Sequence, residues 1–260
     1  MRGLASARQG DNDAAILDYT EAIRLNPQNA GVYYNRGLAF DNKGDNDAAI
    51  LDYTEAIRLN PKDADVYCSR WIAFDNKGDN DAAIKDFTEA IRLNPKDALA
   101  YYCRGNAWHN KRDYAAAIGD CTEVLRLNPK DANAYNNRGN AWLNKRDYAA
   151  AIQDFTEAIR LDPQKSNAYF NRGLAWSNQK DYAAAIRDYT DAVRLDPQMA
   201  GAYKWLADVY AESGDWENAV KRQERAIELA TDDTDKQEGA VRLGFYKRRM
   251  PYREQAKSRR

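Results

Sequence analysis

The chain has 260 residues with 39 Lys and Arg against 40 Asp and Glu, and a net charge of −1 gives no field that would draw nucleic acid or an acidic membrane. Its three cysteines, Cys68, Cys103 and Cys121, are odd in number and lack CxxC spacing, so no disulfide framework is implied. No apolar run is long enough to span a bilayer, which excludes membrane insertion by a helix.

Without a disulfide framework the expectation is a cytoplasmic setting, or a periplasmic one if an upstream signal is missing; MRGLASARQG lacks the apolar centre of a signal peptide. A 34-residue interval then governs the text: Pro27, Pro61, Pro95, Pro129, Pro163 and Pro197 recur at it. A fixed period of this length means stacked supersecondary units, each of which buries its apolar face only against its neighbours. The units run over residues 1–29 (partial), 30–63, 64–97, 98–131, 132–165, 166–199 and 200–233, with 234–260 left as a final helix and a basic tail. Because Gly3 aligns with Gly37, the first unit holds only the later part of a first helix. Ile16, Tyr19 and Ile23 are then incompletely covered, and the expectation is fraying or end-to-end self-association there.

Each unit reads as two helices. Asp11, Asp45, Asp79, Asp113, Asp147, Asp181 and Asp215 announce the second helix as N-caps, and the residue before each proline marks its stop. Residues 10–27 and 44–61 are identical, the mark of recent duplication; in this block Asn12, Asn46 and Asn80 stand where Tyr114, Tyr148, Tyr182 and Trp216 stand later. Arg36, Arg70, Arg104, Arg138 and Arg172 recur on first helices and Asp52, Asp86, Asp120, Asp154 and Asp188 on second helices, a pattern that invites pairing. The plainer alternative is Arg stems covering apolar surface with solvated heads. Trp71 replaces the Gly found at Gly37, Gly105, Gly139 and Gly173, and an indole there predicts local splaying of the third unit. The seventh unit drifts, with Leu206 for Arg, Ala207 for Gly and Gln223 for an aromatic. Residues 235–249, with Ala240, Leu243 and Tyr246 at helical spacing, read as a helix covering the stack, and Pro251 follows it.

Within residues 132–165, Tyr135, Gly139 and Trp142 are followed by Ala151, Phe155, Ala158 and Pro163. This pattern resembles the tetratricopeptide repeat (TPR), departing from it where Arg138 stands in place of the usual Leu. The resemblance implies an all-α fold: a right-handed superhelical α-solenoid of stacked helix-turn-helix repeats whose first helices line a concave groove, here closed by a C-terminal capping helix. It also implies a protein-interaction scaffold with a protein or peptide ligand. One subgroup of the family grips terminal carboxylates with groove Lys and Arg, but the corresponding positions hold Asn133, Asn136, Asn167, Gly201 and Trp205, and Lys204 alone makes no clamp. Another subgroup uses a ladder of groove Asn residues; Asn35, Asn137 and Asn171 match it, while Ser69, Cys103 and Trp205 interrupt it.

The residues themselves carry a related signal. Wound at about 100° per residue, Asn133, Asn137, Asn140 and Asn144 share one face opposite Tyr135, Gly139 and Trp142. Asn is a mediocre helix former, so four on one face invite a binding role. The same face carries Asn106 and Asn110 from the fourth unit and Asn167, Asn171 and Asn178 from the sixth, with Tyr102 and Phe170 beside it as candidate apolar contacts. A side-chain amide both donates and accepts, which suits a peptide backbone. The alternative is that duplication copied a harmless Asn.

Catalysis has little to hold here. His109 is the only histidine and reads as an exposed substitution, no Gly-rich phosphate loop or metal-spaced Cys/His set occurs, and no cofactor is implied. Cys121 replaces a core aromatic, while Cys68 and Cys103 read as small fillers in preference to a metal or redox pair. Trp108, Trp142 and Trp176 read as core, and Glu55, Glu89, Glu123 and Glu157 as a solvated outer face. The second functional reading is a regulatory or substrate-recruiting portion of a larger enzyme or assembly factor whose other domain is absent.

Overall fold

The computed structural model describes residues 11–252, and among them every regular element is a helix. The chain divides into two compact units, Met1–Pro129 and Lys130–Arg260. The first contains α1 (Asn12–Leu25), α2 (Ala30–Asn42), α3 (Asn46–Leu59), α4 (Ala64–Asn76), α5 (Asn80–Leu93), α6 (Ala98–Asn110) and α7 (Tyr114–Leu127). The second contains α8 (Ala132–Asn144), α9 (Tyr148–Leu161), α10 (Ser166–Asn178), α11 (Tyr182–Leu195), α12 (Ala200–Glu212), α13 (Trp216–Leu229) and α14 (Asp233–Lys247). Even-numbered helices up to α12 are the first helices of their repeats and odd-numbered ones the second. The expected first helix over residues 1–9, and with it the open end, lies outside the described residues.

Local chemistry sets these boundaries. Each of the seven Asp caps accepts the backbone N–H three residues on, at 3.0–3.1 Å, which satisfies one of the orphan donors of a helix start. Asp97 and Asp131 cap α6 and α8 in the same way. The turn from first to second helix needs a left-handed residue just before the cap. Gly44, Gly78 and Gly214 supply it, but Arg112, Arg146 and Lys180 occupy the same position with φ of 61–65°, where a side chain is unfavourable.

Inside each repeat the helices meet over small residues. A Cβ added at Gly37, Gly139 or Gly173 would fall 2.6, 2.7 or 2.8 Å from the ring of Tyr53, Phe155 or Tyr189, closer than contact allows. Trp71 therefore cannot occupy that spacing unchanged. It lies half-buried with its indole tilted on Phe87 at 5.0 Å between centroids, so the two helices stand wider there or the Phe87 ring gives way. In the fourth repeat Cys121 replaces the ring, and a Cβ at Gly105 would meet nothing closer than 3.4 Å.

The suspected Arg–Asp pairs are present in all five repeats. Each Arg donates Nε and Nη2 to the two carboxylate oxygens of the Asp sixteen residues on, at 2.6–2.9 Å. The Asp side chains are only 6–8% exposed and the Arg side chains 15–21%, so the heads are not solvated. Arg36, Arg70, Arg104 and Arg172 also donate Nη1 to Thr20, Thr54, Thr88 and Thr156 of the preceding repeat, at 2.9–3.1 Å. One guanidinium thus joins three helices.

At the far end the cap differs in its buried face from the reading above. α14 begins at Asp233 behind Asp232, and it buries Gly239, Arg242 and Tyr246, whereas Ala240 is exposed and Leu243 half-buried. The buried face is polar because Arg242 reaches Asp208 at 2.9 Å and Glu238 at 2.8 Å, and Tyr246 donates its hydroxyl to Asp208.

The glycine contacts predict opposite signs for one substitution. Gly105→Ala should stabilise by about 0.5–1 kcal/mol through helix propensity, because a Cβ fits. Gly139→Ala should destabilise by about 1–3 kcal/mol, because the Phe155 ring must move. Urea denaturation of the two variants checks this; equal signs would contradict the packing described.

Candidate ligand-binding face

In the second unit the Asn face of α8 is accessible as expected: Asn133 and Asn144 are exposed and Asn137 and Asn140 half-buried, while Gly139, Ala134 and Ala141 are buried. On α10, Asn167 and Asn178 are exposed and Asn171 half-buried. Tyr135, Trp142 and Trp176 are half-buried, so the aromatic stripe lines the core edge instead of lying within it. Phe170 is also half-buried, its ring tilted on Tyr189 at 5.8 Å, which makes it part of the helix packing as well as of the surface.

The arrangement of the amides was not legible from spacing. Asn136, one position off the stripe, is 9% exposed and sits between neighbours: Asn171 donates Nδ2 to its Oδ1 at 3.3 Å, and its own Nδ2 lies 3.5 Å from Asn137 Oδ1. Three amides from two adjacent first helices therefore form a relay that fixes their orientation. Asn144 and Asn178, by contrast, each donate to a helix carbonyl four residues back, Asn140 and Leu174, at 2.8 Å, so part of their hydrogen-bonding capacity is used locally.

In the first unit the predicted residues are more dispersed. Asn35, Asn106 and Tyr102 are half-buried and Asn110 is exposed. Asn110 Nδ2 lies 3.4 Å from Asn80 Oδ1, matching Asn76 on Asn46 at 3.2 Å, and both tie the end of a first helix to the preceding repeat's second helix. At the place of the Asn136–Asn171 contact, the second and third repeats hold Tyr34 and Ser69, whose hydroxyl oxygens are 3.3 Å apart. The next equivalent pair is Cys68 and Cys103. Burial pushes the Cys68 thiol up to about 12, with Asp97, Asp65 and Asp86 adding to the effect, so it stays protonated at neutral pH. His109, read as exposed, is instead half-buried against Tyr114, with ring centroids 5.3 Å apart, and burial lowers its pKa. Among the described residues no cluster of three or more His, Cys, Asp or Glu is placed to hold a metal ion, and no helix is long and apolar enough to cross a membrane.

The tetratricopeptide repeat family matches residues 30–63, 132–165 and 166–199, again 72–132 and 202–237, and as TPR repeat 3–44. The chain belongs to the tetratricopeptide repeat family, and its fold is an all-α solenoid of such repeats. A tetratricopeptide repeat protein from Parabacteroides merdae is similar at 20% identity and a TM-score of 0.71, over 95% of this chain and 96% of that one. YrrB, described as a TPR protein with an unusual peptide-binding site, matches at 22% identity and 0.58, over 73% and 97%. MamA matches at 25% identity and 0.57, over 60% and 91%. No curated protein matches the sequence.

The thiol environment carries its own test. At pH 8, iodoacetamide should label Cys68 about 10²–10³-fold more slowly than free cysteine, since only the thiolate reacts. Peptide mass spectrometry over time measures this, and a rate within tenfold of free cysteine would contradict the half-buried, anionic surroundings described.

Proposed function

We propose that this chain is a protein-interaction scaffold that binds an extended peptide on the first-helix face of its second unit, largely through Asn side chains meeting the peptide backbone. The carrying observation is the Asn171–Asn136–Asn137 relay, which holds amides of two successive first helices in place before any ligand arrives. Pre-ordering lowers the entropy lost on binding. Around it, Asn133 and Asn167 are exposed and Asn140 half-buried, with donors and acceptors that suit a peptide unit without reading its side chains. Family membership supports an interaction role over a catalytic one, and the peptide-binding site named for YrrB supports a peptide as ligand.

The structure alters which residues make a clean test. Asn171→Ala would remove the donor to nearly buried Asn136, so fold and binding would change together. Asn133, Asn140 and Asn167 lie outside the relay. Changed together to Ala, they should weaken a peptide selected on the intact chain from a random display library by one to three powers of ten, at about 0.5–1.5 kcal/mol per neutral hydrogen bond. Calorimetry with circular dichroism checks this. Unchanged affinity with intact helicity would place binding elsewhere.

A further inference from the structure

A cavity of about 210 Å³ opens between α12, α13 and α14, in the seventh repeat. Its origin can be read from the repeat. In the sixth repeat the two matching positions hold a pair of rings, Phe170 against Tyr189 at 5.8 Å, and in the second Tyr34 against Tyr53 at 6.0 Å, while the third, fourth and fifth hold one ring each, Phe87, Tyr102 and Phe155. Thirty-four residues beyond Phe170 and Tyr189 stand Lys204 and Gln223, so the seventh repeat supplies neither ring. Both line the cavity, together with Trp205, Ala226, Ile227 and Gly239.

Its chemistry is specific. Gln223 is 1% exposed; its Nε2 donates to Gly239 O at 3.3 Å, but its Oε1 is buried and meets no donor. A buried acceptor without a partner is unfavourable, and a ligand that brings an O–H or N–H satisfies it. Trp205, 40% exposed, offers an aromatic wall at the rim. The charged residues of the wall balance, Lys204 and Arg242 against Asp235 and Glu238; Arg242 binds Glu238 at 2.8 Å, and Lys204 lies 3.5 Å from Glu238. A neutral guest is therefore favoured over an ion. The volume exceeds the roughly 150 Å³ that houses a benzene ring in an apolar cavity.

We propose that this cavity is a binding pocket for an aromatic side chain carrying a hydrogen-bond donor, a tyrosine of a partner peptide, whose ring takes the place that the repeat's own aromatics fill elsewhere and whose hydroxyl donates to Gln223 Oε1. None of its residues belongs to the Asn face, so the pocket stands or falls independently of that reading.

The probe is N-acetyl-tyrosinamide, with N-acetyl-phenylalaninamide as its donor-free counterpart, titrated into the isotope-labelled full chain and followed by NMR. The tyrosine probe should shift the Gln223 side-chain amide and the Gly201 and Gly239 backbone amides, and bind roughly 2- to 10-fold tighter than the phenylalanine probe. Gln223→Leu should erase that preference while ring binding persists. Gly201→Phe should abolish binding of both by filling the mouth; a Cβ at Gly201 meets nothing within 4 Å, so this variant keeps its fold even if Gln223→Leu does not. Shifts scattered away from these amides, equal affinity for the two probes, or unchanged binding in Gly201→Phe would each overturn the proposal.

Discussion

Everything in these repeats depends on a buried fork: one guanidinium held by both oxygens of one carboxylate across two helices. A bidentate Arg–Asp pair has a single plane and a single depth at which both bonds form, so it specifies how far one helix sits along the other. The Tyr three residues before each Arg places its ring 5.6–5.9 Å from the guanidinium, adding a face-on contact to the edge-on bonds. Burial of the pair is not a simple gain. At Asp86, desolvation raises the carboxyl from its ordinary value even though Arg70 pulls it down. The fork accordingly sets register more than it adds net stability, consistent with the wider behaviour of buried ion pairs.

Once register is set there, the remaining positions vary under looser rules. The Gly opposite the second helix's ring is not required for the fork to form: Gly105 faces Cys121 with room to spare, and Trp71 is accommodated against the Phe87 ring while Arg70 still holds Asp86 at 2.6–2.7 Å. Repeats also differ in how they are tied together. In the first unit Lys43, Lys77 and Lys111 each bind an Asp of the preceding repeat, Asp13, Asp47 and Asp81. The position matching those Asp residues is Ala115 for Lys145, which turns to the ring of Trp142 at 5.5 Å. In the seventh repeat the fork is absent, Leu206 is fully buried in the Arg position, and Arg242 of α14 provides a different ionic closure on Asp208.

Much of the fold was legible because its determinants are local and repeated. The Asp caps and the proline stops each act within a few residues, and their recurrence at a 34-residue period, seven caps and six stops, makes them plain. The Arg–Asp pairing was legible as a coincidence of two periodic positions, although the choice between a solvated head and a buried fork needed coordinates. Other features depend on relations that spacing does not encode. The left-handed backbone at Arg112, Arg146 and Lys180 is unexpected from residue type, and only its alignment with Gly44, Gly78 and Gly214 signals it. On α14 Tyr246 is buried as read, but Gly239 and Arg242 take the buried places expected for Ala240 and Leu243, because a buried Arg reads as surface unless its partners are known. In the candidate face, the exposed Asn residues follow from helical phase, but Asn136 is buried through a contact 35 residues away, and the cavity beside Gln223 is signalled only by Lys204 and Gln223 standing at two positions of which at least one holds a ring in the second to sixth repeats.

The claim that the fork fixes register without supplying much net stability is tested most directly by native-state hydrogen exchange in α10 and α11. Asp188→Ala should lower their local stability by about 3–5 kcal/mol, because Arg172 is left buried without its counter-charge. Arg172→Leu combined with Asp188→Leu, following the apolar solution already present at Leu206, should return to within about 1 kcal/mol of the parent. A cost below about 1 kcal/mol for the single variant, or a double variant as unstable as the single one, would contradict the account.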